Sequence, residues 1–148
     1  MNPIEVLMVE DNPGDVLLVQ EAVAETGLAY NIHVVRDGVE AMEYLRAKGR
    51  HCGAARPDLV VLDLKLPLKG GREVLGEVRR DPSLHGIPIV LLSSSRSEME
   101  LVKAQRQSPK SCMVKPGTFK GYCNLVRAIE SFRQETETTE NKDPGHAH

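Results

Sequence analysis

Five short aliphatic segments, separated by stretches with helical periodicity, limit the folds open to this chain more than any other feature. These segments are apolar nearly throughout and comprise residues 4–10, 32–35, 59–62, 87–92 and 112–114. Strands without polar alternation are typical of parallel sheets that helices cover on both faces. Because parallel strands need crossover connections, the alternation predicts a three-layer α/β sandwich of the doubly wound type, with a five-stranded parallel sheet.

The segments between and after the strands predict five helices and one domain. Apolar residues recur at helical spacing over residues 13–26, 39–48, 72–80, 98–107 and 119–134. Residues 1–134 are therefore the predicted domain. Residues 135–148 contain no apolar side chain except Ala147, and we expect them to form a disordered tail.

Charge and aromatic content exclude several kinds of partner. The 148 residues include 19 Lys and Arg against 21 Asp and Glu, and only three Tyr, two Phe and no Trp. Because nucleic-acid binders normally carry a basic face or aromatic platforms, we expect no nucleic-acid partner. We also expect no membrane partner, since no apolar run approaches the roughly 18 residues of a membrane span. Three cysteines without a CxxC pair are typical of reduced thiols, which predicts a cytoplasmic protein.

Polar side chains stand where four of the five predicted strands end. Glu10 and Asp11 follow the first strand, Asp63 the third, Ser93 the fourth and Lys115 the fifth. In an open doubly wound sheet the carboxyl ends of the strands form the ligand crevice, so these groups should converge there. Three acids close together oppose each other's ionisation unless a cation balances them, and Mg²⁺ suits such oxygen ligands.

A phosphoryl-transfer site is the chemistry that this set of groups favours. Asp63 is then a candidate nucleophile that forms an aspartyl-phosphate. The metal, the Lys115 ammonium and the Ser93 hydroxyl can each bind one part of the transferred group. Each residue alone has a plainer interpretation as a loop residue or a helix cap. The prediction therefore depends on their coincidence at the ends of different strands.

Several segments together resemble a known family, the CheY-like receiver domains of two-component response regulators. The resemblance covers roughly residues 4–133 and is carried by VLMVEDN, VVLDLKLP, GREVL, IPIVLLSSS and MVKP. It implies a flavodoxin-like (βα)5 fold and a single-domain response regulator of a phosphorelay. A narrower similarity, to stand-alone receivers paired with phytochrome-type sensor kinases, is carried by D-L-x-L-P-x-x-x-G-R-E-V-L and I-E-S-F.

The resemblance also implies a role for each site residue. Asp63 would be the phosphoacceptor, and Glu10 and Asp11 would hold Mg²⁺ together with Asp63. The backbone carbonyl of Lys65 would complete the protein ligands. Asp11 is the expected direct ligand, and Glu10 the one expected to act through water.

Two further matches concern the fourth and fifth strands. Ser93 would be the hydroxyl switch that moves towards the phosphoryl group. Lys115 would pair with that group, and its peptide bond to Pro116 would be cis, as is frequent in the family.

Three positions depart from the family pattern. Cys112 stands where the family usually has a rotating aromatic ring, Gly70 where close relatives often have Asp, and Lys65 where many have a neutral group. None of them removes an acid, the hydroxyl or the lysine, so the departures concern the output of the site. The Lys65 ammonium either leans over the site or points into solvent.

The implied partners are a sensor histidine kinase, of phytochrome type in the narrower similarity, or a phosphotransfer protein. Residues 96–120 carry six basic and two acidic side chains. With the aromatic residues of the last helix, this charge excess predicts a homodimer surface on the fourth helix, fifth strand and fifth helix. The implied chemistry is limited to the chain's own phosphorylation and dephosphorylation, so we do not expect an enzyme acting on other substrates.

Two other functions remain open from the residues. One is a pseudo-receiver, an interaction module that keeps the fold without using phosphorylation. The other is a small enzyme, either a flavodoxin-like carrier or an aspartate-nucleophile phosphatase. The chain lacks the Gly/Ser/Thr-rich loop of the first and the D-x-D arrangement of the second after its first strand, which disfavours both.

Overall fold

The structure is a computed structural model that describes residues 2–104 and 111–141. Its elements follow the predicted alternation and end in a helix longer than expected: β1 (Ile4–Val9), α1 (Pro13–Thr26), β2 (Tyr30–Val35), α2 (Gly38–Leu45), β3 (Leu59–Asp63), α3 (Gly71–Arg80), β4 (Ile89–Ser93), α4 (Arg96–Ala104), β5 (Cys112–Val114) and α5 (Phe119–Asn141). The five strands form one sheet in the order β2-β1-β3-β4-β5, and all pairs are parallel. The predicted five-stranded doubly wound sandwich is confirmed.

The strands are apolar throughout because each contributes to two separate cores. On β1, Leu7 and Val9 pack with α2 and α3, whereas Val6 and Met8 pack with α1 and α5. The other central strands, β3 and β4, divide their side chains between the same two clusters. Helices thus cover both faces of the sheet, which is why the sequence shows continuous aliphatic runs.

The strand register brings the carboxyl ends of the strands to a single edge. Val9 pairs with Leu62, and Asp63 pairs with Leu92, so the residues after β1 and at the end of β3 lie side by side. The backbone amide of Lys115 donates to Ser93 O at 2.8 Å, which continues this edge from β4 to β5.

Two glycines allow close backbone approaches near this edge. A Cβ on Gly71 would collide with Asp63 O and lie 2.8 Å from Leu64 Cα. A Cβ on Gly38, the first residue of α2, would collide with the backbone of Lys69 in the β3–α3 loop. The loop that follows the predicted phosphoacceptor is therefore seated against two helix N-termini.

Helices α2, α3 and α4 begin one or two residues before their predicted starts, and two helices end at a residue other than the predicted one. Helix α2 ends at Leu45 rather than at residue 48, and Ala47 takes a left-handed φ of 52° just beyond it. The predicted end of the fourth helix, residue 107, lies outside the described residues. Helix α5 continues past residue 134, the predicted end of the domain, to Asn141.

Polar interactions extend α5 where apolar residues run out. Arg133 donates to Glu137 at 2.6 Å, an i,i+4 pair that favours helix, and Thr136 Oγ1 donates to Phe132 O at 3.0 Å. Residues 142–148 of the predicted disordered tail lie outside the described part of the chain. Among the residues that the structure does describe, no helix combines the length and the apolar character needed to span a membrane.

Candidate functional site

The three predicted acids meet at the carboxyl edge of the sheet. Glu10, Asp11 and Asp63 each offer one carboxylate oxygen, and these oxygens lie within 4.8 Å of one another. Glu10 and Asp63 are buried, whereas Asp11 is exposed. Such a set of hard oxygen donors, with one side open to water, is the kind that Mg²⁺ binds in proteins.

Local backbone geometry holds the acids in place. The amide of Glu10 donates to Val35 O at 3.0 Å, which fixes the residue beside β2. Glu10 Oε2 accepts from the amide of Asn12 at 3.2 Å, and Asn12 in turn caps α1. Asp63 Oδ1 accepts from the amide of Lys65 at 3.2 Å. The loops that follow β1 and β3 therefore orient the two buried carboxylates.

Lys115 reaches into the centre of the acidic site. Its Nζ lies 2.7 Å from Glu10 Oε1, 2.8 Å from Asp15 Oδ2 and 3.2 Å from Asp63 Oδ2. Burial alone would lower the pKa of Lys115, but the contacts with Asp15 and Glu10 and the charge of Asp63 raise it above its usual value. The lysine is therefore a permanent cation that faces three carboxylates.

Glu10 is the electrostatically strained member of the set. Burial raises its pKa to about 7, Asp63 adds to the rise, and Lys115 opposes it. Although Lys115 Nζ is 2.7 Å from Glu10 Oε1, the contact is out of line for a hydrogen bond, and this buried oxygen accepts none from the described residues. Because buried acceptors are normally satisfied, the oxygen fits a site for a metal ion or a metal-bound water.

Ser93 connects the site edge to the start of α4. Its side chain is buried, and Oγ accepts from the amide of Ser95 at 3.0 Å. Ser95 Oγ accepts in turn from the amide of Glu98 at 3.1 Å, in the first turn of α4. A movement of the Ser93 hydroxyl would therefore disturb the N-terminal end of this helix.

The backbone and the side chain of Lys65 have different surroundings. Its amide contacts Asp63, as described above, whereas its side chain is 69% exposed and Nζ lies 3.8 Å from Glu98 Oε2. This geometry favours the alternative in which the ammonium points away from the carboxylates. The role of the Lys65 carbonyl as a metal ligand stays a prediction.

Two expectations from the family pattern meet the structure at β5. Cys112 is buried there, at the position where the resemblance implies an aromatic ring. The predicted cis bond between Lys115 and Pro116 is wrong, because the bond is trans. The trans isomer is the more stable one for X-Pro bonds by about 0.5–1 kcal/mol, and the structure follows that preference.

Sequence reasoning missed Asp15 as a member of the site. It lies in the first turn of α1, where its amide donates to Asn12 Oδ1 at 3.2 Å. Besides contacting Lys115, it accepts from the hydroxyl of Tyr122 on α5, with 3.4 Å between Tyr122 Oη and Asp15 Oδ1. Burial and the nearby Asp15 charge raise the pKa of Tyr122 to about 12, so the phenol stays protonated at neutral pH. The N-cap Asn12 indicates that Asp15 lies in the first turn of α1, but the direction of the Asp15 side chain depends on how the helix packs on the sheet.

Comparisons with known proteins agree with this geometry. The family model of the response regulator receiver domain matches residues 6–127. Response regulator Rcp1 from Synechocystis sp. is 37% identical over 92% of this chain and 92% of its own length. The probable methanogenesis regulatory protein FilR2 from Methanothrix harundinacea is 36% identical over 99% of this chain and 91% of its own.

Solved structures of response regulators also resemble this chain over most of its length. The phosphorylated cyanobacterial phytochrome response regulator RcpA has a TM-score of 0.79 and 40% identity, covering 90% of this chain and 96% of that one. The Mn²⁺-bound form of Rcp1 has a TM-score of 0.76 and 36% identity, covering 88% and 94%.

Proposed function

Because the chain belongs to the receiver domain family of response regulators, we propose that it works in a phosphorelay as the acceptor of a phosphoryl group on Asp63. The observation that carries this proposal is the convergence of the three acids around the Lys115 ammonium, which lies 3.2 Å from Asp63 Oδ2. The donor is a phosphohistidine of a sensor kinase or a phosphotransfer protein. Acquisition of the group switches the affinity of the domain for its partners.

A divalent metal is the cofactor of this reaction, and we propose Mg²⁺. Glu10, Asp11 and Asp63 would hold it with the Lys65 carbonyl, and the Mn²⁺-bound structure of Rcp1 supports a divalent site in a relative. When bound, it supplies positive charge to the oxygens of the transferred phosphoryl group. Glu10 Oε1 is buried and accepts no hydrogen bond from the described residues, so the metal or a metal-bound water would give it a partner besides the Lys115 ammonium.

The transfer step assigns roles to Asp63 and Lys115. A carboxylate oxygen of Asp63 attacks phosphorus in line with the breaking P–N bond, whose electron pair stays on the imidazole nitrogen of the donor. The amide of Lys65 holds Asp63 Oδ1 at 3.2 Å and so limits rotation of the carboxylate. The Lys115 ammonium neutralises charge on a phosphoryl oxygen. Hydrolysis of the acyl phosphate by water then resets the site.

The same chemistry limits what the chain catalyses. We propose that it accelerates only its own phosphorylation and dephosphorylation, since every group placed at the site serves Asp63. The output then begins at Ser93. When its hydroxyl turns towards the phosphoryl group, the bond from the Ser95 amide is lost and the first turn of α4 is released.

The proposed kinase partner is of the phytochrome type, on the strength of the similarity to RcpA. We propose that signalling takes place in the cytoplasm, without nucleic-acid or membrane contacts. We propose that two copies of the chain form a homodimer through α4, β5 and α5. Phe119, at the start of α5, is 40% exposed on this surface. Three of the basic residues that suggested this surface, Lys103, Arg106 and Lys110, lie beyond the side chains that the structure describes.

Intact-mass spectrometry after incubation with acetyl phosphate tests the proposal. The wild type should gain one phosphoryl group in the presence of Mg²⁺ and none in EDTA. Asp63→Asn should gain none under either condition, with an unchanged circular dichroism spectrum as the folding control. No uptake by the wild type would instead support the pseudo-receiver, which depends on surface contacts alone.

A further inference from the structure

We propose that Asp15 is a positioning residue for Lys115 and passes the state of Asp63 to Tyr122 on α5. This inference rests on the proposed function and deepens it. It assigns a route for the signal that differs from the movement of Ser93 and from the aromatic rotation that Cys112 cannot perform.

The first observation is that the Lys115 ammonium contacts Asp15 as well as Asp63. Its Nζ lies 2.8 Å from Asp15 Oδ2, closer than the 3.2 Å to Asp63 Oδ2. The ammonium donates to Asp15 and Asp63 and also lies 2.7 Å from Glu10 Oε1, so a phosphoryl oxygen on Asp63 must compete with these three carboxylates for the nitrogen. Asp15 holds the nitrogen on the α1 side of the crevice.

The second observation is that Asp15 has two different partners on its two oxygens. Oδ2 contacts Lys115, and Oδ1 lies 3.4 Å from the hydroxyl of Tyr122, at the long limit of a hydrogen bond. Tyr122 is buried and belongs to the core cluster that α5 forms with α1 and one face of the sheet. A shift of Asp15 therefore reaches a residue packed in the interior of the domain.

The backbone of Asp15 does not share this freedom. Its amide is held by the side chain of Asn12, the residue that also donates to Glu10. The main chain of this turn is thus tied to the acidic site, and only the carboxylate of Asp15 can respond by rotation.

Phosphorylation changes the balance in one direction. A phosphoryl group carries up to two negative charges and replaces the single charge of the Asp63 carboxylate, so the site gains about one negative charge and Lys115 moves towards the phosphoryl oxygens. The contact between Lys115 and Asp15 lengthens, and Asp15 becomes free to accept the Tyr122 hydroxyl at an ordinary distance of about 2.7 Å. The interface between α1 and α5 thereby reports the occupancy of Asp63.

Titration with beryllofluoride, a phosphoryl analogue, at saturating Mg²⁺ tests the competition for Lys115. Asp15→Asn should bind beryllofluoride about threefold more tightly than the wild type, because the free energy of one partly exposed ion pair corresponds to a change in affinity of about this size. Glu21→Gln, which removes an exposed acid from the same helix, should leave the affinity unchanged. Equal or weaker binding by Asp15→Asn would overturn the proposal.

NMR of ¹³C-labelled tyrosine tests the transmission step, because the chain has only three tyrosines. Tyr122→Phe assigns the signal. Beryllofluoride should shift the Tyr122 signal in the wild type but not in Asp15→Asn, and should leave Tyr30, which donates to Glu130 at 2.8 Å, unmoved. A purely structural role for Asp15 would not produce this loss.

The two measurements separate the possible failures. If the wild type binds no beryllofluoride, the proposed function itself fails. If it binds but the Tyr122 signal stays fixed, or shifts equally in Asp15→Asn, only the inference about Asp15 fails.

Discussion

Replacing Glu10 by Gln tests the charge balance of the site through its effect on stability. Burial raises the pKa of Glu10 from 4.5 to about 7, with Asp63 adding to the rise and Lys115 opposing it. Between these two pH values the folded protein keeps a proton that the unfolded chain has released. The free energy of unfolding therefore falls as the pH rises through this window. Above pH 7 the protein carries the full cost of ionising buried Glu10.

The size of the effect follows from the shift. A raised pKa of this extent corresponds to a penalty of roughly 3 kcal/mol at pH 8 and about 1 kcal/mol at pH 5. In the variant, Lys115 keeps its contacts with Asp15 and Asp63, so no charge is left unpaired. The free energy of unfolding of Glu10→Gln, measured relative to that of the wild type, should therefore increase by about 2 kcal/mol from pH 5 to pH 8.

Urea denaturation followed by far-UV circular dichroism, in EDTA, measures this difference. Glu21→Gln is the matched control, because the same chemical change at an exposed position should give a small effect that does not vary with pH. Saturating Mg²⁺ at pH 8 should stabilise the wild type more than Glu10→Gln, since bound metal supplies the missing positive charge. An equal difference in stability between Glu10→Gln and the wild type at both pH values would show that the pKa of Glu10 is not raised in the folded protein.

Three other substitutions probe separate parts of the structure. Gly71→Ala places a Cβ 2.8 Å from Leu64 Cα and against Asp63 O, so it should cost about 1–3 kcal/mol in thermal denaturation and slow acetyl phosphate uptake; an unchanged Tm would contradict the packing described. Asn12→Ala removes the cap of α1 and should lower the free energy of unfolding by about 1 kcal/mol, and no loss in urea would count against the cap. Lys65→Ala should keep the autodephosphorylation rate within about twofold, because its ammonium is largely exposed; a tenfold change would show that it acts on the phosphoryl group.

The strand-end residues could be predicted because topology alone determines their meeting. Parallel strands with covered faces leave a recognisable aliphatic pattern, and the residue that follows each strand must lie at the same edge. Glu10, Asp63 and Lys115 met there as predicted, and Ser93 lies at the end of β4 on the same edge. No knowledge of side-chain packing was needed for that step.

Features that depend on helix phase and packing could not be predicted from the sheet topology. Asp15 joins the site from a helix, and whether its side chain faces Lys115 depends on how α1 docks on the sheet. The length of α5 was underestimated because the prediction relied on apolar residues, whereas ion pairs such as that of Arg133 extend the helix. The isomer of the bond to Pro116 depends on a small energy difference that no residue pattern reveals.

The most direct test of the account is to locate the phosphoryl group after incubation with acetyl phosphate and Mg²⁺. Reduction with borohydride converts a phosphorylated aspartate to homoserine, and peptide mass spectrometry then identifies the position. We predict homoserine at residue 63 in the wild type, and none at any position in EDTA or in Asp63→Asn. Modification of another acid, or of Asp63→Asn to the wild-type extent, would contradict the assignment of Asp63 as phosphoacceptor.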